Sequence, residues 1–451
     1  MIYSTSFIVS FFSFILGFDI LPSFSIGIGS FLILRIVFVS NISFAFREWA
    51  LFLYCLNYLI SPAITYKLNP GLVKYPMKIP SDDYFSLAFP GFLLFAIGMF
   101  TVSNKLFNPN FEKINLVSVI NQKLLKQFVI FGLFFRLSSS FFPGELSFFI
   151  YLLAMIRFLG AFALFGLDRK KWIWPSLIIL LEFYFAFQGG MYHDAIMWFI
   201  FFALFYIYVT KPTIQLKLIG VLGSIILILF IQAIKFAYRE KVWEDGNEAS
   251  LSTITDVGAS KANSESLIGE DNLLGTLNRG NQAWIFASTV NRMDSFKDFQ
   301  GMNNVNKYLE AALLPRFLAP NKIKSGGGEI FNQFSGHTIN ESTSMGLGIF
   351  ADGYIAYGAW GVYIFGFVLG LIFSLTFKLV ERWTKISPFY VLLLLPMLNY
   401  AVRPDCELQT TINHLAKSIV VFGGLVYFTK NRFTLESANA KRKLLHLNLM
   451  K

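Results

Sequence analysis

Apolar residues in this chain fall in long continuous stretches, and polar residues gather in a few places between them. No stretch alternates with a period of two. Runs of roughly 20 mostly apolar residues predict helices that cross a bilayer. Twelve such cores can be drawn, at 4–18, 23–40, 48–65, 84–102, 126–141, 146–166, 172–188, 192–210, 215–236, 357–378, 386–402 and 409–429. Spanning strands would leave short alternating segments, and lipid satisfies no backbone N–H or C=O outside a helix or a closed barrel. The expected fold class is an all-α integral membrane protein with about 12 transmembrane helices and one large loop. The apolar segment 344–356 is too short to cross and reads as a re-entrant or interfacial helix.

The pattern divides the chain into four parts. Residues 1–238 carry transmembrane helices 1–9. Residues 239–343 form the large polar loop. Residues 344–430 carry the re-entrant or interfacial segment and helices 10–12, and 431–451 make a basic tail. Inside the loop, 243–271 is acidic and nearly free of aromatics, which suits an irregular segment or a lid. Residues 273–293 place Leu274, Leu277, Trp284, Ile285 and Ala287 at helical spacing and predict an amphipathic interfacial helix. Its polar members include Asn278, Arg279, Asn281, Gln282 and Arg292. A further short helix is expected over 306–314, ended by Pro315.

Composition agrees with the pattern. The chain is 55% hydrophobic and 14% charged, against about 25% charged residues in soluble domains. The formal charge of +11 does not indicate nucleic acid, because the loop holds 10 Lys/Arg against 13 Asp/Glu and the excess lies in short connectors. With a cytoplasmic N-terminus, roughly twenty connector and tail cations face the cytoplasm and four the other side, which sets the orientation. Both termini are then cytoplasmic and the loop is periplasmic, at a bacterial inner membrane. The first 18 residues lack a basic n-region and a cleavage site, so they read as a retained span. Cys55 and Cys406 give no disulfide framework, and no His/Cys/Asp spacing suggests a metal or other cofactor.

Charged residues inside spans are costly and mark function. Five occur: Arg136, Arg157, Glu182, Lys235 and Lys417. With Arg239, Arg279, Arg316 and Arg403 they suggest a positive cavity opening outward. Arg316 sits between Pro315 and Pro320 and ahead of Gly326, Gly327 and Gly328, in a shaped loop. A guanidinium fork there matches phosphate oxygens. The substrate class that fits is a lipid with a diphosphate and sugars: tail in the bilayer, diphosphate on the cations, glycan in the aqueous loop. Arginines that stabilise the departing diphosphate replace a metal.

At "LNRGNQ" (277–282), "LLPRFLAPNK" (313–322), "TSMGLGIFADGYIAYGAWG" (343–361) and "AVRPD" (401–405) the chain resembles the Wzy-type oligosaccharide repeat-unit polymerases, the O-antigen and capsule polymerases related to O-antigen ligases. The resemblance implies a GT-C-like architecture and metal-independent, inverting glycosyl transfer from undecaprenyl-diphosphate-linked donors. It passes diphosphate binding to Arg279 and Arg316, and also to Arg403. The stretch 188–199 departs from the family, with His193 and Asp194 where relatives carry a basic residue.

The acceptor hydroxyl needs a base. His337, Glu341, Asp352, Asp405, Glu407, Asp194 and His193 are within the outer regions. Glu341 or His337 is favoured, with Asp352 in support. Arg136, Lys235, Asn281, Gln282 and Tyr354 complete the candidate substrate-binding set. Expected partners are the lipid-linked oligosaccharide, the bilayer and a chain-length regulator. Rival readings are an O-antigen ligase, a flippase or exporter of lipid-linked oligosaccharide, and a scaffold of a polysaccharide assembly.

Overall fold

The computed structural model describes residues 2–433 apart from 69–74, 104–111, 144–145, 190–191, 240, 242–250, 262–267, 297–298, 314–327 and 340–344. The described residues are helical and contain no strand. In chain order the helices are α1 (Ile2–Ile15), α2 (Ile20–Val39), α3 (Phe46–Lys67), α4 (Ser81–Thr101), α5 (Glu112–Leu137), α6 (Ser147–Leu167), α7 (Ile173–Gly189), α8 (His193–Thr210) and α9 (Ile214–Arg239). The loop contributes α10 (Leu251–Ser260), α11 (Glu270–Arg279), α12 (Ala283–Phe296), α13 (Met302–Leu313) and α14 (Gly328–Ser335). Then follow α15 (Ile349–Thr384), α16 (Pro388–Met397) and α17 (Leu408–Phe433). All twelve expected spans fall on helices. Eight of these, α2, α3, α4, α6, α8, α9, α15 and α17, are long and apolar enough to cross a bilayer. The chain is thus an all-helical protein with candidate membrane spans.

Three expectations need correction. The acidic stretch 243–271, read as an irregular segment or a lid, carries the helix α10 at Leu251–Ser260. The single amphipathic helix over 273–293 is two helices, α11 and α12, because Gly280 and Asn281 interrupt it. The first turns of α12 are fully buried, as Ala283 to Val290 all lie in the core, so α12 is not an interfacial helix. The span expected over 386–402 is only the ten-residue α16, six residues of it in the tighter 3₁₀ form. Its length of roughly 18 Å falls short of a bilayer core of about 30 Å.

The chain forms two compact units. In the first, made of Met1–Asn41, Ala45–Phe89 and Ile179–Ser288, α3 carries a π-helical turn at Leu56–Ile60. Pro62 has no N–H to give the Tyr58 carbonyl four residues back, which explains the widened turn. The Tyr84 hydroxyl donates to that carbonyl at 2.8 Å instead. In the same unit Lys217 reaches from α9 to the end of α2, donating to the Val37 carbonyl and to Ser40 Oγ. A cation there complements the exposed carbonyls of a helix C-terminus.

The second unit holds Ile42–Phe44, Pro90–Ile178 and Thr289–Lys451. Its central device is a helical hairpin inside α15. Tyr357 (φ −144°, ψ 25°) and Gly358 (φ 59°, ψ −141°) leave the helical region, and only glycine adopts the latter conformation without strain. Residues eight apart in a straight helix lie about 12 Å apart along its axis. Here the backbones of Gly353 and Gly361 touch so closely that a Cβ on either would collide with the other's carbonyl. The arm 349–356 therefore folds back along the arm 359–384. Phe350, at the start of the short arm, lies against Gly91 of α4 and Gly366 of the long arm. The apolar segment expected to be too short to cross thus forms the short arm of this hairpin.

Candidate functional site

The short arm brings Asp352 to the N-terminus of α17. Asp352 is buried, and its Oδ2 accepts the Leu408 N–H at 2.8 Å. That bond satisfies one of the donors a helix N-terminus leaves over. Glu407, also buried, lies close enough that its charge acts on the Asp352 carboxyl. The extended residues 345–348 run beside 405–407, with Gly346 packed so tightly on the Asp405 carbonyl and Glu407 Cγ that no side chain fits. Tyr308, on α13, hydrogen-bonds the Asp352 carboxyl. Burial, and then the neighbouring charges of Asp352 and Glu407, hold the Tyr308 phenol protonated well beyond its ordinary range, so it is a donor at any working pH. Among the described residues, Asp352 Oδ1 has no hydrogen-bond partner. A buried carboxylate oxygen in that condition is poised to take a proton or meet a polar ligand.

The other end of the short arm is tied down. Gln300 and Gly301 donate their N–H groups to the carbonyls of Ile355 and Ala356 at 2.9 and 3.0 Å. The Tyr354 hydroxyl donates to Asp294 Oδ1 at 2.6 Å and its ring meets Phe299 edge to face. The arm is therefore held rigidly at both ends.

A second polar group lies further along α17. The Arg403 guanidinium stacks on Tyr400 at 4.5 Å, and Lys417 Nζ sits over Phe148 at 4.6 Å. Phe148 and Tyr400 both pack against the buried His414 ring, whose Nε2 donates to the Pro396 carbonyl at 2.6 Å. Asn399, fully buried, donates from Nδ2 to the Tyr151 hydroxyl at 3.1 Å. Two cations, two phenols, an amide and an imidazole thus share one aromatic neighbourhood.

The remaining expected residues divide. Arg316 and Glu341 lie outside the described residues. His337 is half-buried just past the end of α14, its N–H donating to Ser335 Oγ. Arg136 is half-buried at the end of α5. Arg279, Asn281, Gln282 and Lys235 belong to the first unit. Arg279 is exposed at the end of α11, and Lys235 lies 5.6 Å from the Tyr192 ring centre. Asn281 already uses both ends of its amide to hold the fold: Oδ1 accepts the Ala283 N–H at 3.1 Å and Nδ2 donates to Thr65 Oγ1 at 3.0 Å. That is the work of a helix N-cap. Gln282 is buried beside it.

Residues 32–385 match the family described as "Domain of unknown function (DUF8712)". The chain belongs to this family. No curated protein and no solved structure matches the chain. The DUF8712 match takes in Tyr308, Asp352 and Tyr354 and ends before Arg403, Glu407 and α17. The Asp352 and Glu407 carboxyls therefore come from the two sides of that limit.

Tyr308 was not legible as part of this DUF8712 site, since nothing in "NKYLEAALLPRF" separates it from an interfacial tyrosine. The α17 group left a trace. Glu407, Thr411, His414 and Ser418 recur at helical spacing, and all four are buried. A polar stripe on a membrane helix faces protein or a cavity.

Proposed function

We propose that this protein polymerises oligosaccharide repeat units carried on a polyprenyl diphosphate, by metal-independent, inverting glycosyl transfer at the outer face of a bacterial cytoplasmic membrane. The acceptor hydroxyl attacks the anomeric carbon of the donor sugar. The bond from that carbon to the diphosphate oxygen breaks, and the lipid diphosphate leaves with the electron pair. The hydroxyl proton passes to the Asp352–Glu407 pair. Arg403 and Lys417, with Arg316 assigned by the sequence resemblance, stabilise the charge on the leaving group.

The observation that carries this reading is Asp352: a buried carboxylate with one oxygen unengaged among the described residues, fixed by a helix N-terminus and a re-entrant arm. It replaces Glu341 and His337 as the favoured base. Tyr308 stands beside the pair as a hydroxyl donor. The sequence resemblance supports the same chemistry.

The test is elongation of a synthetic polyprenyl-diphosphate oligosaccharide by purified protein in proteoliposomes containing a chelator. Product ladders that vanish in Asp352→Asn support the reading. Strict metal dependence, or movement of intact substrate across the bilayer with no bond made, would overturn it. Transfer to a lipid core without elongation would identify a ligase.

A further inference from the structure

The long arm of α15 presents a lipid-facing stripe: Trp360, Ile364, Val368 and Leu375 are all exposed at helical spacing, Trp360 to 73%. The stripe does not stop where the helix does. At the bend, Tyr357 is also exposed, and the Phe299 ring lies 3.4 Å from the position a Gly358 Cβ would take. Phe299 is exposed on its other side, as is Phe296, at 67%. The backbone bonds from Gln300 and Gly301 to Ile355 and Ala356 fix this segment to the hairpin tip. Exposed aromatic rings thus continue from a candidate membrane span, at Trp360 and Tyr357, onto Phe299 of the large loop. Arg292, one turn before Phe296, stacks on its ring at 5.1 Å and donates from Nε to the Gln333 carbonyl, which holds this part of the loop in place.

We infer that Phe296, Phe299, Tyr357 and Trp360 form an anchor that inserts into the headgroup–acyl boundary of the leaflet reached by the bend of α15. Amphipathic aromatic rings are the side chains that favour this layer. The occupant is bilayer lipid because the surface continues the lipid face of α15, and a soluble partner would meet only its outer part. The anchor has a consequence for the carboxyl pair. Asp352 lies five residues from the bend, roughly 8 Å along the helix axis. The anchor therefore holds Asp352 about one and a half turns beneath the headgroups, whatever chemistry takes place there. The inference stands on the membrane fold alone and not on the proposed reaction.

The experiment is spin labelling in the full chain with Cys55→Ala and Cys406→Ala, reconstituted in phosphatidylethanolamine–phosphatidylglycerol vesicles. Labels go at Phe296→Cys, Phe299→Cys and Trp360→Cys, with Ile364→Cys as the mid-span reference. Collision rates with oxygen several-fold above those with a water-soluble nickel chelate, at a depth shallower than at 364, are expected at all three. Higher collision rates with the nickel chelate would place the segment in water and overturn the inference. Low rates with both reagents would show a protein cover and overturn it equally. Phe296 makes no contact with the hairpin glycines, so its label reports even where labelling Phe299 disturbs the bend.

Discussion

Helix α6 and the stretch 388–418 are both deeply buried in the second unit, and they are built on opposite terms. Helix α6 is one unbroken helix. From Ala154 to Phe165 every residue is buried, and all but Arg157 and Gly160 are apolar. It meets α5 where Gly132 lies against Arg157 and Gly160 lies against the Leu125 carbonyl. The stretch 388–418 changes from 3₁₀ to α form, turns through 398–407 and restarts as α17. It buries Asn399, Glu407, Gln409, Thr411, His414 and Ser418. Irregular backbone at membrane depth persists only where protein or a water-filled cavity satisfies it. Polar hydrogen bonds between membrane helices contribute only about 0.6 kcal/mol each on average. Stability alone therefore does not explain so many polar groups in the broken stretch, whereas a site for a polar substrate does.

The comparison is tested most severely at Asp352. Asp352→Asn keeps the shape and removes the proton acceptor, so initial elongation rates should fall by about 10²- to 10³-fold while the membrane-inserted yield stays unchanged. A rate near that of the parent protein would leave the broken stretch without its proposed role.

Next comes the hairpin that delivers Asp352. Gly361→Leu forces a side chain into the Gly353 backbone and should destabilise by at least about 1–3 kcal/mol, with a lower Tm and loss of elongation. Gly423→Leu provides the contrast, since a Cβ there meets nothing within 4 Å and the thermal transition should not move. Equal tolerance at the two positions would argue against the folded-back arm.

A smaller effect separates the cations of the two regions. Lys417→Met removes a charge from the Phe148–Tyr400 neighbourhood and should raise KM about tenfold, as for a lost charge-assisted hydrogen bond. Arg157 on α6 donates to the Ala154 carbonyl at 2.5 Å and stacks on Phe158, so Arg157→Met should change Tm and leave KM alone. Elongation kinetics with a soluble-tail donor would read both. A KM shift in the α6 variant instead would reverse the assignment.

The mildest change is Asn281→Ala. Loss of the cap on α12 should cost about 1 kcal/mol, seen as a lower Tm with unaltered KM. A raised KM would restore Asn281 as a substrate ligand.

Long apolar runs such as 215–236 and 357–378 were enough to place helices, because lipid permits little else and the demand is local to each segment. Glycines and prolines were legible as interruptions, yet only the fold shows what they do: Pro62 frees a carbonyl that Tyr84 collects, and Gly358 turns a helix back on itself. Asp352 stood out in sequence as a carboxylate on an apolar segment. Its partners did not, because Tyr308, Asp352 and Leu408 lie 100 residues apart end to end and no local pattern records a contact of that range. The sequence by itself thus determined the helical class of this protein and the approximate position of the apolar helices, since these follow from hydropathy summed over neighbouring residues. Which polar side chains meet, which of them are already engaged in holding the fold, and where the two buried carboxyls come together were decided only by tertiary packing, because each depends on backbone approach between segments distant in the chain.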